Sequence, residues 1–187
     1  MDQRGLVVRA RGGDHDAFTA LVDLTIARLD SAARLILRDP ELARDAVQEA
    51  LIRAWRDLPG LRDPDRFDGW LQKLTVHACL DLARRRRRRA IEVEISPIDP
   101  PVTPDFTGAL ADREMVDQAL RHLDPGHRAV VALHYLLGMP LPEVAAALAI
   151  PLGTAKSRLH YSLATMRASV PPEPSSSPTT VAGGQVA

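Results

Sequence analysis

Apolar residues recur at intervals of three and four along two long stretches of the chain, and this spacing predicts amphipathic helices. The first stretch ends near Ala90 and predicts about four helices. Asp14 or Asp16 is placed to cap the earliest of them, whose apolar positions continue from Phe18 to about Leu37. The pattern allows either one continuous helix here or two helices that break near residues 30–31.

A second helix of this stretch is marked clearly at both ends. Asp39 is a natural N-cap and Pro40 suits the first helical position, while Pro59 and Gly60 stop the helix predicted over 41–58. One face of that helix is apolar and the other carries charged and amide side chains. A polar loop over 61–68 then leads into a helix that begins near Gly69 and runs into consecutive arginines.

The second stretch, about 109–168, predicts three or four helices. Residues 111–123 and 127–137 each form a periodic apolar segment that ends at turn residues. Residues 141–168 then predict a short helix, a tight turn and a longer helix that Thr154 caps or opens. This order is typical of a helix-turn-helix, whose second helix is suited to the major groove of DNA.

Between the two stretches lies a segment of different composition. Residues 91–108 contain four prolines and four acidic residues with no Lys or Arg, which predicts an extended, flexible and acidic linker. Residues 170–187 are rich in Pro, Ser, Thr and Gly and are expected to be disordered. We therefore predict an all-α protein with two small helical domains, over residues 1–90 and 109–169, joined by the linker 91–108.

Composition narrows the class of protein further. The chain has 187 residues and a formal net charge of zero, but the part through Ala90 carries 18 basic and 14 acidic side chains. Arg84 to Arg89 are consecutive. A single cysteine, Cys79, excludes an internal disulfide and any multi-cysteine metal site, and the six histidines show no metal-ligand spacing. We expect no cofactor, no catalytic activity, no membrane insertion and a cytoplasmic location.

Three sequence stretches together resemble the extracytoplasmic-function (ECF) sigma factors of bacterial RNA polymerase. The family's region two signature resembles the stretch ELARDAVQEALIRAW, and the helix that follows that signature resembles FDGWLQKLTVHACLDLARRRR. Region four of the family resembles LDPGHRAVVALHYLLGMPLPEVAAALAIPLGTAKSRLH. The similarity covers roughly residues 9–168. It implies a subunit that binds core RNA polymerase, through the clamp helices of the largest subunit and the flap, and directs promoter recognition, melting and initiation on duplex and single-stranded DNA. It also implies sequestration by an anti-sigma factor.

The resemblance assigns site residues position by position. The candidates for polymerase binding are Asp45, Gln48, Glu49 and Arg53. The candidates for the minus-ten element are Arg62, Asp63, Asp65 and Arg66 in the loop and Lys73, His77, Arg84 and Arg85 on the next helix. The candidates for the minus-thirty-five element are Thr154, Lys156, Ser157, Arg158 and His160. His77 departs from the family, which usually has Asn at this position.

Each assignment has a structural alternative. The polar face of helix 41–58 also fits a solvated helix surface with i,i+4 ion pairs. The arginines 84–89 also fit cations that the helix dipole favours at a helix C-terminus. Phe67 and Trp70 suit either stacking on a flipped base or packing in the domain. Arg128 suits either a DNA backbone contact or an exposed surface position. Cys79 is expected to be an inert core thiol.

Two other classes of protein combine a helical DNA reader with a second domain. A serine recombinase needs an α/β catalytic domain, and the absence of strand patterns argues against it. A stand-alone helix-turn-helix repressor or activator would use the first domain to sense or dimerise, and it should bind duplex DNA without polymerase. The near-neutral net charge favours the sigma factor over this alternative.

Overall fold

The computed structural model describes residues 2–92 and 110–169, and these residues contain eight α-helices and no strand. The all-α prediction is therefore confirmed. The helices are α1 (Gln3–Arg11), α2 (His15–Leu37), α3 (Pro40–Asp57), α4 (Phe67–Glu92), α5 (Leu110–Arg121), α6 (Pro125–Val131), α7 (Leu141–Ala147) and α8 (Leu152–Ala168). Most of the predicted linker and all of the predicted tail lie outside the described residues.

The first domain consists of α1 to α4, and its helix ends follow the capping signals. The Asp14 carboxylate accepts a hydrogen bond from the Ala17 amide at 3.0 Å and starts α2. The Asp39 carboxylate accepts from the Glu41 and Leu42 amides, both at 3.1 Å, and starts α3. α2 is continuous through residues 30–31, so the first of the two alternatives holds. The sequence pattern did not predict α1, which packs against α2.

The second domain consists of α5 to α8. Asp124 caps α6, which continues beyond Val131 as a π-helical turn over Ala132–Leu136. α7 and α8 form the predicted helix-turn-helix. The left-handed residue that ends α7 is Ala149, with φ 52°, just before the residues 150–153 where the sequence places the tight turn. Gly153 instead lies inside the first turn of α8.

The two domains contact each other directly. α6 and the π-helical turn after it pack against α2, and α6 also packs against α4. Buried apolar residues of both domains, among them Leu29, Leu37, Leu133 and Leu137, belong to one continuous hydrophobic cluster. The sequence predicted two separate modules and gave no indication of this packing. Among the described helices, none combines the length and hydropathy of a membrane span.

Candidate polymerase-binding and DNA-binding surfaces

The four predicted polymerase-binding residues lie together on one face of α3. Asp45 and Gln48 are exposed, whereas Glu49 and Arg53 are half-buried and form an i,i+4 ion pair with each other. Arg53 also lies 3.9 Å from Asp81 of α4. Together with Ile52 and Arg56, these four side chains line a shallow depression of about 540 Å³. Contact with a partner would therefore begin at the exposed Asp45 and Gln48.

An apolar groove between α2 and α3 borders this polar face. Its volume is about 570 Å³, and its lining includes Phe18, Leu51, Ile52 and Trp55. Leu51 and Trp55 are half-buried, so they fill the wall of an open groove and not the centre of a core. Sequence reasoning missed this groove because both residues occupy inward positions of α3. The one local signal is Ile52, a large apolar side chain that is 63% exposed among polar neighbours.

The predicted minus-ten loop is short, exposed and fastened at two points. Asp63 accepts a hydrogen bond from the Asp65 amide at 3.1 Å and caps the 3₁₀ turn Pro64–Arg66. Asp65 in turn forms an ion pair with Arg4 of α1. The side chains of Arg62 and Arg66 are exposed, and Arg66 lies 3.6 Å from the Asp63 carboxylate in an ion pair that solvent reaches. α1, which the sequence pattern missed, therefore anchors this loop.

The helix after the loop separates core residues from surface candidates. Phe67 is fully buried, and Trp70 is half-buried with its ring centroid 6.1 Å from that of Phe67, so both pack in the domain. Lys73 is exposed. His77 is half-buried, and its Nε2 lies 2.6 Å from the main-chain oxygen of Ala147 in α7. In this conformation, the second domain therefore occupies the polar end of the His77 ring.

The arginine run at the end of α4 divides into two halves. Arg84 pairs with Asp81 at 2.6 Å, Arg85 lies 4.0 Å from Glu49, and Arg86 pairs with Asp39 at 3.2 Å. The remaining three, Arg87 to Arg89, are exposed, and no ion pair joins them to another described residue. Arg85 and Arg86 thus connect α4 to α3 and its N-cap, Arg84 pairs within α4, and the second half leaves three positive charges facing solvent.

The recognition helix α8 presents its first turns outward. Lys156, Ser157 and His160 are exposed, and Arg158 is half-buried with its guanidinium against Gly126. Thr154 is the third residue of α8 and half-buried, and the helix begins at Pro151–Leu152 without a side-chain cap. Ala155 and Ser162 face inward, so the exposed positions form one stripe along the helix.

Hydrogen bonding and burial shift the pKa of several groups near these surfaces. Partial burial disfavours the charged form of Asp124, but hydrogen bonds from the His127 amide and ring outweigh it and hold the pKa of Asp124 below its usual value. Cys79 is fully buried, as predicted for a core residue, and burial raises the pKa of its thiol to about 12. Arg128 is 5% exposed and is therefore not the exposed surface arginine that one alternative expected.

Within residues 2–92 and 110–169, no three His, Cys, Asp or Glu side chains come together in a group that could hold a metal ion. The geometry instead offers polar and cationic side chains on the outer faces of helices, which suits binding to macromolecules.

Comparison with known proteins identifies both domains. Residues 21–89 match Sigma-70 region 2, and residues 113–166 match Sigma-70 region 4. The ECF RNA polymerase sigma factor SigL of Mycobacterium tuberculosis (strain ATCC 25618 / H37Rv) is 34% identical over 151 residues, which are 79% of this chain and 85% of that protein. These matches do not favour the stand-alone regulator.

Two solved structures are similar over most of the chain. CnrH, in complex with the cytosolic domain of CnrY, superposes with a TM-score of 0.63 at 30% identity and covers 89% of this chain and 95% of its own. The sigma factor RpoE of Bartonella quintana, in complex with the anti-sigma factor NepR, has a TM-score of 0.71 at 22% identity over 81% of this chain and 95% of its own, and supports the fold alone. With both sigma regions matched in order and SigL 34% identical, the chain belongs to the ECF family of RNA polymerase sigma factors.

Proposed function

We propose that this sigma factor binds core RNA polymerase through the polar face of α3 and reads a promoter with two separate surfaces. The loop before α4 and the outer face of α4 contact the minus-ten element, and the first turns of α8 contact the minus-thirty-five element. The observation that carries the proposal is the exposed stripe of Lys156, Ser157 and His160 on the second helix of a helix-turn-helix, in a chain that also contains sigma region 2.

The polymerase surface is proposed from exposure and from the apolar groove next to it. Asp45 and Gln48 are the exposed polar members of the α3 face, and Ile52 continues that face into the groove. A protein interface typically combines an apolar centre with a polar rim. Glu49 and Arg53 already pair with each other, so we propose that they shape the surface and that the exposed pair makes the first contacts.

Base recognition at the minus-thirty-five element is proposed for Lys156, with Arg158 in support. A lysine or arginine at the start of a recognition helix reaches the O6 and N7 atoms of guanine in the major groove. Lys156 is exposed and points away from the domain, whereas Arg158 must leave its position against Gly126 to reach DNA. Ser157 donates a hydrogen bond to the Thr154 main-chain oxygen at 3.0 Å and can exchange that bond for one to a phosphate.

Minus-ten contacts are proposed for the exposed side chains of Arg62, Arg66 and Lys73. Their positive charge suits the backbone of the melted strand. Arg84 and Arg85 stay candidates, but their ion pairs with Asp81 and Glu49 lower the charge that they present. Arg87 to Arg89, which face solvent, are therefore proposed as additional phosphate contacts.

Separation-of-function variants test these assignments. Lys156→Ala should weaken the binding of the holoenzyme to its promoter by about 1–3 kcal/mol, the value of one base-specific interaction, without changing affinity for core polymerase. Asp45→Ala should weaken the affinity for core polymerase without changing how tightly the assembled holoenzyme binds its promoter. Arg167→Ala, at the far end of α8, and Asp23→Ala, on the exposed face of α2, are matched controls. If Lys156→Ala leaves both promoter affinity and promoter choice unchanged, the assignment of α8 is wrong.

Partners and location follow from the same proposal. We propose that the protein acts in the cytoplasm, catalyses no reaction of its own and is held inactive by an anti-sigma factor. The last point is supported by CnrH, which is 30% identical to this chain and whose structure was solved with a protein partner, the cytosolic domain of CnrY. Co-purification of the full chain with core polymerase, and its loss when the anti-sigma factor is added, would test this arrangement.

A further inference from the structure

The loop that is proposed to read the minus-ten element has little apolar support of its own. Leu61 is half-buried and Phe67 is fully buried, but none of residues 62–66 between them is buried. A segment with few buried apolar contacts opens locally at a small cost in free energy. The position of residues 62–66 therefore depends on the polar contacts that the loop makes with its surroundings.

Two consecutive residues in the first turn of α1 supply such contacts. Arg4 forms an ion pair with Asp65 in the 3₁₀ turn of the loop. The side-chain amide of Gln3 donates a hydrogen bond at 2.6 Å to the carboxylate of Asp68, the second residue of α4. The first turn of α1 therefore holds the loop at the point where it enters α4.

α1 is itself fixed firmly enough to support the loop. Leu6, Val7 and Ala10 are at most 7% exposed and belong to the hydrophobic cluster of the first domain. At the other end of α1, Arg9 forms an ion pair at 2.6 Å with Asp14, the N-cap of α2. Side chains on a helix that is locked by packing hold a neighbouring group more precisely than side chains on a loop do. The loop can therefore move relative to α2 only if the contacts of the first turn of α1 break.

We propose that Gln3 and Arg4 are positioning residues, which hold Asp65 and Asp68 so that the minus-ten loop meets the promoter strand in one geometry. Recognition of a base requires donors and acceptors that are held to within about 0.5 Å, so a looser loop should bind correct and incorrect bases more equally. The inference rests on the proposed function, because it takes this loop to read the minus-ten element. α1 contributes to this reader although the match to Sigma-70 region 2 begins at residue 21.

A direct phosphate contact by Arg4, whose side chain is 57% exposed, is the competing explanation for any loss of DNA binding in Arg4→Ala. Loss of a phosphate contact should make the slope of log affinity against log salt concentration shallower by about 0.9, whereas loss of a positioning contact should leave the slope unchanged. A double-mutant cycle provides a second distinction. If Arg4 acts through Asp65, Arg4→Ala should have no further effect in a chain that already carries Asp65→Ala. A shallower slope together with additive effects would overturn the positioning role.

Hydrogen exchange in the free, full-length chain measures the restraint on the loop directly. The loop amides, including the Asp65 amide that donates to Asp63 at 3.1 Å, should exchange faster by about threefold or more in Arg4→Ala and in Gln3→Ala. Arg9→Ala is the matched control, because it breaks the other ion pair of α1 at the end that lies away from the loop. The loss of an exposed ion pair changes overall stability little, so the Tm of Arg4→Ala should stay close to that of the parent. Unchanged exchange in both test variants would overturn the inference.

Promoter choice by the holoenzyme then tests the consequence for base selection. Each chain is assembled with core polymerase and offered promoter fragments that differ only in the minus-ten element. The preference for the best element over singly substituted ones should fall by about threefold or more in Arg4→Ala and in Gln3→Ala, and it should stay unchanged in Arg9→Ala.

The same measurement separates the inference from the proposed function. A clear preference in the parent that neither Arg4→Ala nor Gln3→Ala changes would overturn the inference alone. A parent holoenzyme with no preference at this element would contradict the proposed role of the loop, and the exchange rates would still show whether α1 holds the loop in place.

Discussion

Asp39 is the residue that most directly couples the proposed polymerase surface to the rest of the first domain. Its carboxylate caps α3 through two amides at 3.1 Å and also pairs with Arg86 of α4 at 3.2 Å. Replacement of an N-cap aspartate by alanine costs about 0.5–2 kcal/mol. The ion pair is half-buried but still reaches solvent, and such a pair adds about 0.2–1 kcal/mol. Asp39→Ala should therefore lower the free energy of unfolding by about 1–2.5 kcal/mol.

A second substitution separates the two contributions. Asparagine caps a helix as well as aspartate but carries no charge, so Asp39→Asn should lose only the part that belongs to Arg86, below about 1 kcal/mol. Urea denaturation followed by circular dichroism gives both values, and the Tm of Asp39→Ala should fall by about 3–8 °C. Equal losses in the two variants, or a loss below about 0.3 kcal/mol in Asp39→Ala, would refute the capping argument.

Four other groups in the structure have properties that simple measurements can check. Ala149→Gly should stabilise the protein by about 0.5–1 kcal/mol in the same urea assay, because glycine adopts the left-handed conformation of residue 149 without strain; a loss of stability would contradict it. Cys79 should not react with a thiol reagent at pH 8 until the protein is denatured, and rapid labelling of the native chain would exclude the raised pKa. Folding lowers the pKa values of Asp14 and Asp124, so the two carboxylates stabilise the protein above about pH 4 and lose that effect as the pH falls below it. Asp124→Asn should therefore weaken the dependence of Tm on pH in the acid range. Replacing Arg87 to Arg89 by alanine should make holoenzyme–promoter binding less dependent on salt. The slope of log affinity against log salt concentration should become shallower by up to about 0.9 for each phosphate that is no longer neutralised, and an unchanged slope would mean that these arginines stay hydrated.

Local signals in the sequence predicted the helices well. Asp39 caps α3 as predicted, and Asp14 is the one of the two candidates, Asp14 and Asp16, that caps α2, because an N-cap depends on only three or four neighbouring residues. Asp124 was predicted only as a turn residue that ends the preceding helix, and it also caps α6. α1 escaped prediction because only Leu6, Val7 and Ala10 face inward, too few to establish a period. The sequence also did not predict that Ala149 has the left-handed conformation, because glycine normally occupies such positions.

Features that depend on distant parts of the chain could not be predicted. The Arg38–Asp117 contact joins residues 79 positions apart, and nothing near Arg38 in the sequence marks it as buried. The ion pairs of Arg85 with Glu49 and of Arg86 with Asp39 depend likewise on how α3 crosses α4. Residue type therefore predicted which side chains carry the charge of the candidate surfaces, but only tertiary packing determines which of those charges remain exposed.

Transcription reconstituted from purified components tests the central claim most directly. The full chain is mixed with core RNA polymerase and a library of promoter fragments, and transcripts are counted beside footprints of the protein alone on the same duplex DNA. The account predicts specific transcripts only when both components are present, and no footprint from the protein alone at the same concentration. A specific duplex footprint without polymerase, together with no gain in transcription on adding core enzyme, would contradict it.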